Sequence, residues 1–229
     1  IDYMEEPIVC ANIILPKEVT LVPYSNEVDY ITFSKLLDNM AATYKMYWLL
    51  GIINEVAEGN VEIEFRKLVS RMIVAAWYPI RAFKLNFGMF DKLGEAVDYI
   101  GTTYNFENNC DEKKLKKFIY EWEDKELNKK IKNLTNQVPY KLLSPFFEEK
   151  VKGISHNEKL IEELSKEDKR CIYEIYVNEK NEKSIRIREN WINYLKYNYR
   201  ILKGWIYYEL VIFLQKRNVN VPAIAMKLD

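Results

Sequence analysis

Histidines and closely spaced cysteines, which commonly serve as acid, base, nucleophile or metal ligand, are scarce in this sequence. His156 is its only histidine, and the cysteines Cys10, Cys110 and Cys171 lie far apart without the Cys-x-x-Cys spacing of zinc sites. His156 stands in the segment from Ser155 to Glu158, which matches a helix capping box and indicates an exposed first-turn residue. We therefore expect no catalytic residue and no metal site in this chain.

Other kinds of active site are equally hard to find. The carboxylates of Glu62 and Glu64 have no neighbour in sequence that would tune their acidity, and we expect them near the start of a helix. The phosphate-binding patterns GxxxxGK[ST] and GxGxxG do not occur. Spacing alone leaves one alternative open, a carboxylate cluster that binds metal without histidine.

Basic and aromatic residues alternate near the carboxyl terminus. Between residues 189 and 217, five basic residues stand against two acidic ones in a chain whose formal net charge is zero. Such a helix could contact a phosphate backbone while its tyrosines stack on bases. Alternatively, the lysine and arginine stems cover a core helix, and Lys216 and Arg217 complement its carboxyl end.

Two short segments alternate in polarity and predict a β-ribbon. Residues 171–177 and 184–188 would be its strands and residues 178–183 its loop. If Ile185 and Ile187 face inward, Arg186 and Arg188 form a positive stripe that could enter a DNA groove, or one that is merely solvated.

Helical periodicity dominates the rest of the chain. It predicts helices over residues 32–58 (one long or two short), 65–78, 91–104, 111–132, from near 157, and 189–217. Pro79 is expected to end the second helix, and the segment from Val138 to Pro145 is expected to interrupt helix. Aromatic residues at helical spacing are usually buried, and we expect four in the core: Trp48, Trp77, Phe87 and Trp205.

The composition agrees with this pattern, since 48% of residues are hydrophobic and only 7 Gly and 7 Pro are available for turns. The predicted fold class is mainly α with minor β. We expect a multi-helix bundle with a two-stranded ribbon near 171–188 and a long helix near 189–217. The expected organisation is an extended arm (1–30) followed by one α-rich domain (31–229), as a single body or as two lobes (31–108 and 109–229).

Charge and hydropathy limit the binding partners and the cellular location that we expect. Lys plus Arg and Asp plus Glu are equal at 34 each, so any binding to nucleic acid must come from a local patch. The apolar run from Ile201 to Leu214 is interrupted by charges and too short for a bilayer, so we expect no membrane association. No disulfide framework or signal peptide is evident, which favours a cytoplasmic protein. The first residue, Ile1, suggests a trimmed amino terminus.

Several blocks of residues follow one another from about residue 30 to 229. They are Ala42–Trp48, Phe65–Pro79, Lys84–Gly88 with Asp91–Leu93, Pro139-Tyr140 with Leu143 and Pro145, and Phe213–Asn218 with Asn220–Pro222, Ile224 and Lys227-Leu228. In order and spacing, these blocks resemble the amino-terminal part of bacterial HNH endonuclease-domain proteins.

The resemblance implies a parent protein that hydrolyses nucleic-acid phosphodiesters with a divalent metal, in defence against phage or other foreign DNA. In that family the HNH domain would follow shortly after Lys227-Leu228, whereas this sequence ends at Asp229. No catalytic residue can therefore be carried over. No cofactor is expected in this chain, and the divalent metal is expected in the nuclease domain.

Our leading hypothesis is a non-catalytic module that positions or regulates the nuclease by contacting nucleic acid, DNA in preference to RNA. The candidate contact residues are Lys45, Lys84, Lys92, Arg186, Arg188, Arg200, Lys203, Lys216 and Arg217. The alternative is a protein-interaction, sensor or homodimerisation module, because tyrosine is enriched at interfaces.

Overall fold

The computed structural model describes residues 20–38, 40–89 and 91–228, which are mainly helical with a small antiparallel sheet, as predicted. The α-helices are α1 (Tyr30–Ser34), α2 (Tyr44–Ala57), α3 (Phe65–Arg81), α4 (Lys92–Thr103), α5 (Glu112–Glu121), α6 (Lys125–Thr135), α7 (Val138–Leu143), α8 (Glu148–Val151), α9 (Glu158–Glu167), α10 (Glu189–Tyr197) and α11 (Tyr199–Gln215). The strands are β1 (Glu62–Glu64), β2 (Tyr173–Val177) and β3 (Lys183–Ile187), and 3-10 turns span Ser144–Phe147 and Ile224–Lys227.

The sheet has three strands in the order β1-β3-β2, so the prediction of a two-stranded ribbon was incomplete. Ile185 of β3 pairs with Ile63 on one side and Ile175 on the other, and all three are buried. Strand β1 has only three residues, too few for alternation to reveal it. Glu62 and Glu64, expected near a helix start, belong to this strand, and α3 begins at the next residue.

A buried hydrogen-bond chain joins three elements at the centre of the core. The indole Nε1 of Trp48 in α2 donates to the hydroxyl of Tyr173 in β2 at 3.2 Å. That hydroxyl donates to the carbonyl of Pro139 in α7 at 2.6 Å. The predicted core aromatics are confirmed as buried: Trp48, Trp77, Phe87 and Trp205.

The prediction of one continuous helix from 189 to 217 was wrong. The helix breaks at Asn198, whose backbone leaves helical geometry (φ −99°, ψ 11°) and whose side-chain amide donates to the Tyr194 carbonyl at 2.9 Å. Asparagine competes with the backbone in this way. The segment 111–132 also divides in two, because Asp124 caps α6 by accepting from the Leu127 amide at 2.7 Å.

Proline positions account for two further corrections. Pro79 lies inside α3, which continues to Arg81 instead of ending at Tyr78. Pro139 stands in the first turn of α7, where the missing N–H is not needed, so the segment expected to interrupt helix starts one.

His156 is exposed, as expected, but it does not belong to a capping box. Helix α9 begins at Glu158, and its N-cap Asn157 makes no side-chain capping bond. His156 itself has a left-handed backbone with φ of 55°. The capping-box interpretation was therefore wrong.

The predicted extended pieces within residues 1–19 lie outside the described residues. From Thr20 to Asp29 the chain has no helix or strand and packs on α10. The Tyr194 hydroxyl donates to the Pro23 carbonyl at 2.8 Å, and Asn190 donates to the Glu27 carbonyl at 3.1 Å. Buried residues from 31–108 and from 109–228 belong to one hydrophobic core.

Candidate nucleic-acid interface

A cleft of about 700 Å³ opens where the ends of four helices meet. The amino termini of α2, α4 and α7 and the carboxyl end of α6 surround it. Its described lining includes Lys45, Lys92 and Lys141 and contains no carboxylate. Two of these lysines, Lys45 and Lys92, are among the residues predicted from the sequence.

One buried carboxylate brings Lys45 and Lys92 to the same rim. Asp91, the N-cap of α4, accepts from the Leu93 amide at 3.0 Å and from the hydroxyl and amide of Thr43 at 2.6 and 2.9 Å. Thr43 is the N-cap of α2, so the two helices start side by side. Burial raises the pKa of Asp91, while the hydrogen bonds from Thr43 and Leu93 oppose that rise.

A second contact reinforces this rim. The backbone amide of Lys92 donates to the hydroxyl of Tyr44, which itself lines the cleft. Burial raises the pKa of Tyr44 above its ordinary value, so its hydroxyl stays protonated at neutral pH. Tyr44 therefore contributes an uncharged part of the cleft lining beside the charged lysines.

The third lysine reaches the cleft through α7, which packs on α2 and α6. Lys141 lies in the last turn of this helix, which begins at Val138, and its side chain lines the cleft. The adjacent Tyr140 is buried, and its hydroxyl accepts from Lys183 at 2.6 Å, which fixes α7 against the sheet.

The positive charges in the cleft are poorly neutralised. Burial lowers the pKa of Lys45, and the charge of Lys141 lowers it further, while Asp38 opposes both. Among the described residues, neither Lys45 nor Lys141 forms an ion pair, whereas Lys92 pairs with Glu95 at 2.7 Å. The first turn of α2 has no acidic residue of its own, and the carboxylate bound at its amino terminus is that of Asp91.

The remaining walls combine amide and apolar groups. Asn133, Asn136 and Gln137 line one side, and their side chains make no hydrogen bond within the part of the chain that the structure describes. Apolar surface comes from Met40, Ala41, Ala42, Leu134 and Val138. The cleft can thus offer cations, hydrogen-bonding amides and an apolar face to one ligand.

The ribbon arginines lie on the sheet, outside the described lining of the cleft. Ile185 and Ile187 face the core as predicted. Arg186 is bonded to Glu62 at 2.7 Å and to Glu174 at 2.5 Å, and it stacks on the Tyr176 ring. These carboxylates offset its charge.

Arg188 is also neutralised and largely enclosed. Its guanidinium lies 3.3 Å from Glu174 and donates to the carbonyls of Ser165 and Lys166. The positive stripe predicted from Arg186 and Arg188 is therefore neutralised, because both arginines belong to an ion-pair network with Glu62 and Glu174.

Lys84 and Arg217 lie on the two segments that the contact between Asn86 and Asn218 holds together, outside the described lining of the cleft. Asn218 donates to the Asn86 carbonyl at 2.9 Å and accepts from the Asn86 amide at 2.7 Å, which holds the loop of Lys84 against the end of α11. Lys84 is exposed in left-handed geometry (φ 53°). The Arg217 guanidinium lies 3.6 Å from the Phe213 ring centre and donates to the Phe213 carbonyl at 3.2 Å.

The remaining candidates follow α11. Arg200 is exposed in its first turn, and Lys216 is exposed at its carboxyl end. Lys203 lies 5.4 Å from the Tyr207 ring centre and is half-buried. None of these residues is in the described lining of the cleft.

Sequence reasoning missed Lys141 and the three amides. We interpreted the segment around Pro139 as a break in helical structure. We therefore did not expect its residues to lie on one face of a helix. The available signal was the position of Pro139 itself, since proline is favoured in the first turn of a helix.

No family model, curated protein or solved structure matches this chain. The resemblance to HNH endonuclease-domain proteins therefore stays a hypothesis. Within the described ranges, no group of three or more His, Cys, Asp or Glu residues could hold a metal ion. No described helix is long and apolar enough to cross a membrane.

Proposed function

We propose that this chain is a non-catalytic nucleic-acid-binding module of a bacterial HNH-type endonuclease, and that the lysine cleft holds DNA through its phosphates. The observation that carries the proposal is a cleft with Lys45, Lys92 and Lys141 and no carboxylate in its described lining. In a chain of zero net charge, this local excess is the feature that an anionic polymer would recognise.

The state of Lys45 supports an anionic ligand. A half-buried ammonium without an ion pair destabilises the protein that carries it, because burial removes hydration that no partner replaces. A phosphate in the cleft would offset this cost.

The nuclease assignment and a cytoplasmic role in defence against phage or other foreign DNA rest on the sequence resemblance alone. Under this proposal the module holds DNA while a separate HNH domain, with its divalent metal, cuts it. Our choice of DNA over RNA as the ligand also rests on this resemblance alone.

The test compares two charge-matched variants. Lys45→Gln/Lys141→Gln removes two charges from the cleft, and Lys113→Gln/Lys114→Gln removes two exposed charges from α5. Binding to labelled DNA is measured at about 50 and 200 mM salt, a range over which phosphate contacts weaken strongly. We expect about tenfold or greater loss at the lower salt for the cleft variant only. Equal binding by both variants and the unchanged protein would refute the proposal.

A second candidate, homodimerisation, is favoured by an apolar stripe on α11. Ile201 is 56% exposed and Tyr208 54% exposed, and both lie on one face of the helix with the exposed Gly204 between them. Sedimentation of the protein and of Ile201→Glu at several concentrations tests this. A dimer that Ile201→Glu dissociates supports it, and a monomer at all concentrations excludes it.

A further inference from the structure

We propose, resting on the function above, that the cleft accepts a single unpaired nucleotide: the lysines hold its phosphate, and the apolar wall and the amides hold its base. The ligand class is thus a nucleotide with an unstacked base, either within a single strand or as a free nucleotide.

The form of the site favours one nucleotide over a duplex surface. A volume of about 700 Å³ falls in the usual range of small-molecule pockets, about 300 to 1,000 Å³. Contacts to a duplex backbone need an extended surface, whereas a cleft lined by four helix ends suits a group that leaves the strand. The cleft also lies beside cations that can hold the attached phosphate.

The residues that line the cleft provide apolar surface and hydrogen-bonding groups for a base. Met40, Ala41 and Ala42 contribute accessible apolar surface against which the face of a base can pack. Asn136 and Gln137 present amides that donate and accept, which is how proteins distinguish base edges. Other amides of this chain are used structurally, as in Asn218, but these remain available to a ligand.

The lysines and the amides come from different elements around the cleft. Lys45 and Lys92 belong to the first turns of α2 and α4, and the amides belong to the junction of α6 and α7. A nucleotide whose phosphate is bound by these two lysines can place its base against Asn136 and Gln137. Lys141, beside the amides in α7, is available to the next phosphate of a strand.

The experiment uses cleft-filling variants that leave every charge in place. Ala42→Phe and Met40→Trp fill the cleft from two positions, and Ala225→Phe is the control at an exposed position outside it. Thermal unfolding of each variant verifies that it folds. The probes are labelled single strands of each base, the same strands annealed to their complements, and unlabelled nucleoside monophosphates and 5′-phosphorylated dinucleotides as competitors.

We expect the single strands to bind about tenfold more tightly than the duplexes, and Ala42→Phe and Met40→Trp to remove that difference without weakening duplex binding. Gln137→Ala should lower the affinity for the preferred base toward that of the other bases, because it removes a hydrogen-bonding group from the base edge. Dinucleotide competition as strong as that of the strand would identify a free nucleotide as the ligand.

Failure of this inference is distinguishable from failure of the proposed function. If single and double strands bind equally, and the filled variants bind like the unchanged protein, the nucleotide pocket is refuted while DNA binding through Lys45 and Lys141 stands. If monophosphates or dinucleotides bind but no DNA does, the pocket stands and the proposed function falls. If no probe binds, both are refuted.

Discussion

The carboxylate of Asp91 accepts from both the hydroxyl and the amide of Thr43, which lies 48 residues earlier in the chain, at 2.6 and 2.9 Å. One buried side chain thus serves as the N-cap of α4 and as the anchor for the start of α2. Tyr44, Lys45 and Lys92 follow these two residues directly, so the rim of the cleft depends on the Thr43–Asp91 contact.

Replacing Thr43 by valine should destabilise the protein and weaken DNA binding together. Valine keeps the shape but removes the hydroxyl, which leaves a buried carboxylate short of a donor, at about 1–3 kcal/mol in the free energy of unfolding. Urea unfolding measures this cost. Thr102→Val is the control, since Thr102 is exposed and bonds only within its own helix, and a loss equal to that of Thr43→Val would contradict the account.

Replacing Lys45 by methionine should have opposite effects on stability and on binding. The pKa of Lys45 is lowered because burial and Lys141 disfavour its charged form. Removing that charge should therefore raise the free energy of unfolding by roughly a few tenths of a kcal/mol, since solvent screens part of the effect. DNA affinity should fall. Lys159→Met, on the exposed side of α9, should change neither, and a clear loss of stability in Lys45→Met would argue for a structural role.

Arg186 should contribute little to nucleic-acid binding although the sequence nominates it. Glu62 and Glu174 offset its charge, and a phosphate would have to displace them. We expect Arg186→Gln to leave DNA affinity at low salt unchanged within about twofold, because its phosphate contact is absent. Filter binding at a single salt concentration is sufficient. A loss as large as that of Lys45→Gln would show that the sheet, too, contacts DNA.

Stability toward acid should depend on Glu55, a fully buried carboxylate bonded to Lys67 at 2.8 Å and to Arg71 at 2.6 Å. Burial alone would raise its pKa, but the hydrogen bonds and charges of Lys67 and Arg71 outweigh burial and lower it below 4.5. This contribution to stability is present above about pH 4.5 and is lost as the pH falls through the lower folded pKa.

Glu55→Gln should therefore cost about 1–3 kcal/mol at neutral pH, since it replaces the buried, charge-assisted bonds to Lys67 and Arg71 by weaker ones. Urea unfolding followed from neutral pH down to about pH 3 should show a smaller decline for Glu55→Gln than for the unchanged protein. Glu58→Gln is a matched control, because Glu58 also bonds Arg71 but is largely exposed. If Glu58→Gln costs as much as Glu55→Gln, the burial argument fails.

Periodicity predicted the helical class and the buried aromatics because those follow from local spacing. The core position of Trp48 required only the apolar residues around it. Breaks in helices were harder to predict, since Asn198 ends α10 through one side-chain bond that no spacing rule reveals. The short strand β1 exists because β3 is there to pair with it, which is a tertiary effect.

The candidate site could be predicted only in part. Lys45 and Lys92 were recognised as basic, but nothing in their spacing shows that Asp91 and Thr43 bring them together. Arg186 looked equally suitable until its acidic neighbours, far away in sequence, were visible. The charge of a residue can be read from the sequence, whereas its neutralisation depends on contacts made by the fold.

The most direct test of the central claim is the slope of log binding constant against log salt for a single-stranded DNA. Each lost phosphate contact should reduce that slope by about 0.7 for a single strand. Lys45→Gln/Lys141→Gln should therefore give a slope smaller by about 1.4, while Lys113→Gln/Lys114→Gln should keep the original slope. An unchanged slope for the cleft variant would contradict the claim that these lysines hold phosphate.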